Sequence, residues 1–127
     1  MKRVIFTENA PAPIGPYSQA IENNGMLFIS GQVPIDPATG KIVEGGVAEQ
    51  TQQVMENIQA IVKAADFGND LSNILKCTIY LSDMSLFGAM NEVYGTYFPT
   101  QPPARAAFAV KGLPLGALVE IEAVAMR

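Results

Sequence analysis

Histidine and tryptophan are absent from this chain, cysteine occurs once, and only 16 % of the residues are charged. Each shortage removes a class of chemistry. Without histidine there is no Ser-His or Cys-His pair to activate a nucleophile, and no histidine-ligated zinc. The single cysteine, Cys77, cannot close an internal disulfide, so nothing argues for an oxidising compartment. The glycines form neither a P-loop nor a GxGxxG pattern. No apolar run is long enough to span a bilayer, and the opening MKRVIFTENAP lacks the apolar stretch of a signal peptide. The expectation is a cytoplasmic protein that works without metal or cofactor, through carboxylates, arginine, hydroxyls and backbone groups.

Twelve acidic residues outnumber eight basic ones, giving a net charge of −4, and the lysines and arginines form no cluster. Binding to nucleic acid is disfavoured, because neutralising phosphates requires grouped cations. The charged fraction also falls below the roughly 25 % of an average soluble domain, while hydrophobic residues reach 49 %. Part of the surface is therefore expected to face protein rather than water, which points to a homo-oligomer. A length of 127 residues suits one domain spanning 1–127.

The patterning predicts mixed α and β structure. Residues 3–6 suggest a short first strand, and Pro and Gly mark 8–16 as loop. Residues 17–32 read as a β-hairpin turning at Asn24-Gly25, and 33–46 as loop. Apolar residues at Val47, Val54, Ile58, Ile61, Val62 and Ala65 recur at helical spacing over 47–65. Residues 73–83 alternate as a strand, and 84–98 return to helical spacing until Pro99, Pro102 and Pro103 end it. Strands at 104–111 and 117–126, joined through Gly-Leu-Pro-Leu-Gly, suggest a second hairpin. The order β-β-β-α-β-α-β-β implies an α+β sheet with both helices on one face, leaving the other face for a partner subunit.

Polar residues stand out against this background. With Asn24-Gly25 as the turn, Ser18 falls opposite Gly31 and Tyr17 opposite Gln32, so Tyr17 meets the Ser30-Gly31 pair. This is either an ordinary hairpin end, with Gly31 a bulge or strand stop, or one wall of a site. In the last hairpin Arg105 falls opposite a position between Glu120 and Ala123, and Glu120 and Glu122 share a face. Two readings are open: an internal salt bridge, or an arginine free to clamp a carboxylate or phosphate with a glutamate as proton acceptor. Asn91 shares a helical face with Phe87, Tyr94 and Phe98, where it either braces a loop or meets a ligand. Cys77, in a strand, reads as a small buried hydrophobe.

Taken together, IGPYSQA (14–20), FISGQVPIDPATG (28–40), the Asn57, Ile58, Ala60, Val62, Ala65 series, FPTQPPARAAFAV (98–110) and LPLGALVEIEAVA (113–125) resemble the RidA family of reactive intermediate deaminases. The resemblance covers essentially the whole chain. It implies a chorismate-mutase-like (ferredoxin-like) α+β fold, a homotrimer with a central barrel and clefts between subunits, and hydrolysis of 2-imino acids to 2-oxo acids and ammonia. It assigns the substrate-clamping arginine to Arg105, the water-directing glutamate to Glu120 and the site tyrosine to Tyr17. Ser30, Gly31 and Asn91 take further substrate-binding positions. Where many members carry cysteine, this chain has Ala107. The water-holding role implied for that position uses its backbone carbonyl, which alanine keeps, whereas redox regulation by a thiol there is lost.

Overall fold

The computed structural model describes residues 1–127. Its strands are β1 (Arg3–Ile5), β2 (Ala20–Asn23), β3 (Met26–Gln32), β4 (Ile35–Asp36), β5 (Lys41–Ile42), β6 (Ile74–Leu81), β7 (Ala104–Ala109) and β8 (Val119–Met126). Two helices, α1 (Val47–Ala64) and α2 (Phe87–Thr96), complete the α+β fold. Six strands form one sheet in the order β1-β2-β3-β8-β6-β7, and β4 and β5 pair separately. The segment 33–46, expected to be loop, therefore holds a small hairpin: Asp36 and Lys41 stand opposite each other around the Pro37–Gly40 turn.

Helix α1 forms where the sequence predicts it. Glu49 reaches back to accept from the Gly46 N–H at 2.8 Å, satisfying a donor at the helix start. Its face of Val54, Met55, Ile58, Ile61 and Val62 is fully buried, against β3, β8 and α2. The β2–β3 hairpin also has the predicted turn. Asn24 and Gly25 take φ of 52° and 79°, both left-handed, as a two-residue turn matched to strand twist requires. Asn23 pairs with Met26, and the ladder runs back to Ala20 opposite Ile29.

The second hairpin is not formed. Strand β7 pairs only with β6, in parallel, and β8 lies between β3 and β6. The connection passes over the end of β6, where the Val110 N–H donates to Leu81 O and the Ser82 N–H donates to Leu118 O. Composition explains the choice. Strand β8 buries Val119, Ile121, Ala123 and Ala125 and fills the sheet centre, whereas the Ala-Arg-Ala-Ala-Phe-Ala of β7 is exposed enough only for an edge.

Alternation gives the sheet two distinct faces. Leu27, Ile29, Cys77, Ile79, Ile121 and Ala123 point into the core under the helices. Phe28, Tyr80, Phe108, Glu120, Glu122 and Met126 point to the open face, where Phe28, Phe108 and Met126 remain about half exposed. No helix is long and apolar enough to cross a membrane.

Candidate active site

On the open face a cleft of about 360 Å³ is lined by Ile14, Tyr17, Ser30, Gly31, Val33, Pro114 and Glu120. A β-bulge builds its wall. Ile29 pairs with Ala123 and Gln32 with Ile121, so three steps along β3 match two along β8. The extra residue lies at Ser30-Gly31. It lets both Ile29 and Gln32 face the core, which strict alternation would forbid, and presses Gly31 against β8. A Cβ at position 31 would collide with Oε2 of Glu120 and lie 3.0 Å from its Cδ.

Tyr17 and Ser18 leave the ladder that the sequence reading extended to them. The last links are the Ser30 N–H donating to Gln19 O and the Ser30 hydroxyl donating to Ser18 O at 2.6 Å. Tyr17 is instead turned by a bond from its own N–H to Gly15 O, and its hydroxyl accepts weakly from the Ile14 N–H at 3.4 Å. The ring, 48 % exposed, closes one side of the cleft. Glu120 sits half-buried at its base. Burial first, and the neighbouring Glu122 second, raise its carboxyl above the ordinary value of 4.5.

Arg105 is elsewhere. It pairs across β7–β6 with Cys77, which pairs with Ala123, so its row lies on the helix side of the sheet. Glu120 belongs to the row of Tyr80 and Phe108 on the opposite face. One strand, β6, separates β7 from β8, or about 10 Å between them. Arg105 therefore makes no salt bridge with Glu120 or Glu122; the chain's ion pair is Arg3–Glu22. The arginine instead donates to Oδ1 of Asn91 at 2.5 Å, with its guanidinium 5.1 Å from the Tyr94 ring centre and 5.4 Å from that of Phe87. Held on these three α2 side chains but exposed, it presents its remaining donors outward. Ala107 follows two residues on, facing the same side and packed on the core.

The single chain thus gathers the predicted residues into two groups. Tyr17, Ser30, Gly31 and Glu120 share the cleft, and Arg105, Asn91 and Ala107 share the β7–α2 edge. Cys77 is buried, and burial pushes its thiol pKa up, as suits a core residue. No three metal-ligating side chains are close enough to hold an ion.

Residues 7–127 match the family described as endoribonuclease L-PSP. The chain is 58 % identical to a RutC family protein of Pyrococcus horikoshii, over all of this chain and 99 % of that one. It is 50 % identical to the mouse 2-iminobutanoate/2-iminopropanoate deaminase, over all of this chain and 93 % of the other. The crystal structure of RidA from a Psychrobacter species superposes with a TM-score of 0.93 at 41 % identity, covering 98 % of this chain and 99 % of that one. The chain belongs to the Rid family.

Three buried amides of this Rid protein have backbone partners that their sequence positions do not reveal. Gln19 is 1 % exposed; it accepts from the Thr7 N–H at 2.7 Å and donates to the carbonyls of Thr7, Ala10 and Pro11. It ties the 7–16 segment to the start of β2. Asn57 donates to the carbonyls of Val33 and Ile35, and Gln50 accepts from the Leu118 N–H. Each satisfies backbone that no strand pairs. The available signal was a polar residue on an otherwise apolar face: Asn57 and Gln50 lie on the buried stripe of α1.

Proposed function

We propose that this protein hydrolyses 2-imino acids, such as 2-iminobutanoate and 2-iminopropanoate, to 2-oxo acids and ammonia. The observation that carries the reading is Glu120: a half-buried carboxylate with raised proton affinity, in a cleft lined by no cation. Such a group suits a general base better than a structural ion-pair partner. The deaminase name of the mouse relative supports the same chemistry.

A 2-imino acid presents a carboxylate beside a C=N carbon that protonation makes electrophilic. Arg105 binds the carboxylate through paired charge-assisted hydrogen bonds and fixes its orientation. Glu120 takes a proton from the attacking water and returns it to nitrogen as the C–N bond breaks. The water oxygen ends on C2 and both its hydrogens leave with ammonia. Tyr17 closes the cleft, and the Ser30-Gly31 bulge forms its wall.

The reading requires a second subunit. Arg105 and Glu120 lie on opposite faces of one sheet, so one copy's arginine edge must complete its neighbour's Glu120 cleft. A homotrimer with its open sheet faces turned inward does this and covers Phe28, Phe108 and Met126. The supporting observations are those exposed apolar side chains and the low charge content.

The test is hydrolysis of 2-iminobutanoate, generated in place by a threonine dehydratase, comparing the wild type with Arg105→Ala. Accelerated imine loss that disappears in a folded, assembled variant supports the reading. Saturable binding of 2-oxobutanoate with no acceleration by the wild type would replace it with ligand sensing at the same cleft.

A further inference from the structure

The open face carries a hydrogen-bonded pair that this chemistry leaves unused. Tyr80 stands directly across from Glu120 in the β6–β8 register, yet its hydroxyl donates diagonally to Oε1 of Glu122 at 2.7 Å. On its other side Phe108, in register on β7, meets the Tyr80 ring edge-on, with ring centres 5.5 Å apart and planes at 69°. The ring is held between two strands and its hydroxyl is fixed by one bond. Glu122 projects on the same face as Glu120, two residues along β8.

We propose that Tyr80 is a positioning residue for Glu120, acting through Glu122: its hydroxyl pins the second carboxylate so that a fixed negative charge stands beside the base. The inference rests on the reading of Glu120 as proton acceptor. Glu122 is exposed, and without such a bond its carboxylate would move through water away from Glu120, where screening weakens its charge over about a Debye length of 8–10 Å. A pinned carboxylate keeps its charge where Glu120 feels it.

The groups facing Glu120 are few. Glu122 lies on its own strand, Tyr80 faces it from β6 and Tyr17 from the segment before β2, while Ser30 and Gly31 of β3 and Pro114 bring no charge. Lys76, also on β6, stands in the row of Val124, beyond Glu122. Glu122 is accordingly the charged neighbour that raises the Glu120 carboxyl, adding to the larger effect of burial. Hydrogen bonding to Glu122, with burial and both carboxylate charges behind it, pushes the Tyr80 hydroxyl up to about 12, so it remains a donor at every working pH. The pair gives a purpose to the second glutamate of the Val-Glu-Ile-Glu sequence, which clamping and proton transfer do not use.

The decisive measurement follows the Glu120 side-chain carboxyl carbon by NMR titration of the assembled, carbon-13-labelled protein, its signal assigned with Glu120→Gln. Wild type is compared with Glu122→Gln, Tyr80→Phe and the double variant. Glutamine keeps an acceptor for Tyr80 and removes only the charge. The Glu120 titration should move to lower pH in Glu122→Gln, move the same way by less in Tyr80→Phe, and move no further when Tyr80→Phe is added to Glu122→Gln. The acidic limb of kcat/KM for imine hydrolysis should follow in parallel. An unmoved Glu120 titration in Glu122→Gln overturns the proposal, as does an equal Tyr80→Phe effect with and without Glu122. Absence of imine turnover by the wild type would instead remove the deaminase reading, and the carboxyl titrations would still decide the coupling.

Discussion

Gly31 lies against the carboxylate of Glu120, so close that even a methyl group at position 31 would collide with Oε2. The bulge at Ser30-Gly31 and the orientation of the Glu120 carboxylate are therefore one feature. Gly31→Ala should fold, because its φ is not left-handed and the obstructing atoms are the end of a flexible side chain. The displaced carboxylate should lose activity by about tenfold to a hundredfold, since a general base contributes about 10²–10⁴ only when correctly placed. Imine turnover beside a thermal melt separates the two effects.

Arg105 is exposed and bonded only to Asn91 and aromatic rings, so removing it should leave the melting temperature nearly unchanged. Arg105→Ala should lower kcat/KM by about a hundredfold or more through lost orientation. Arg105→Lys should recover only a small part, because an ammonium cannot reproduce the two-point fork. Steady-state kinetics of the two variants check both statements.

Mixing tests whether the site is shared. Arg105→Ala and Glu120→Gln should each retain only a small residual turnover alone. Random reassembly of equal amounts should restore about a quarter of wild-type sites, those where an intact arginine meets an intact glutamate across an interface. Activity that stays at that residual level after verified subunit exchange would overturn the shared site, since Arg105 and Glu120 of one chain lie on opposite faces of its sheet.

Glu120 also sets a pH dependence. Its folded-state carboxyl is raised above 4.5, so the native state holds the proton more tightly than the unfolded chain. Stability therefore falls as pH rises from the unfolded value near 4.5 through the raised folded value, and the full cost of the ionised group is present above it. Imine turnover should run the opposite way, appearing as Glu120 loses its proton. Glu120→Gln should accordingly be more thermostable than wild type at pH 7 while losing most activity, with the stability gain vanishing below the window.

Gln19 holds the 7–16 segment through four hydrogen bonds. Gln19→Leu should cost about 1–3 kcal/mol by leaving buried backbone groups unpaired. It should also raise proteolytic cleavage within 7–16, the stretch that delivers Ile14 and Tyr17 to the cleft. Denaturant unfolding and limited proteolysis read the two consequences.

Much of this could be read from the chain because local physics specifies it. The stripe of Val54, Ile58, Ile61 and Val62 fixes a helix through its period, and Asn24-Gly25 fixes a hairpin register because few residues accept two left-handed positions. The outward pairing of Glu120 and Glu122 follows from strand alternation alone. Strand order does not: two adjacent strand-like segments joined by Gly-Leu-Pro-Leu-Gly look like a hairpin whether or not a third strand lies between them. Burial demand decided that β8 takes the sheet centre and β7 the edge, and this separated Arg105 from the glutamates that proximity in sequence had set beside it. The buried amides Gln19, Gln50 and Asn57 were hidden for the same reason, since their partners are backbone carbonyls and N–H groups far along the chain that only the folded structure brings near. Period and turn chemistry act over a few residues and are written in the sequence. Pairing across the sheet and the satisfaction of buried polar groups depend on the whole chain, and only the tertiary structure resolves them.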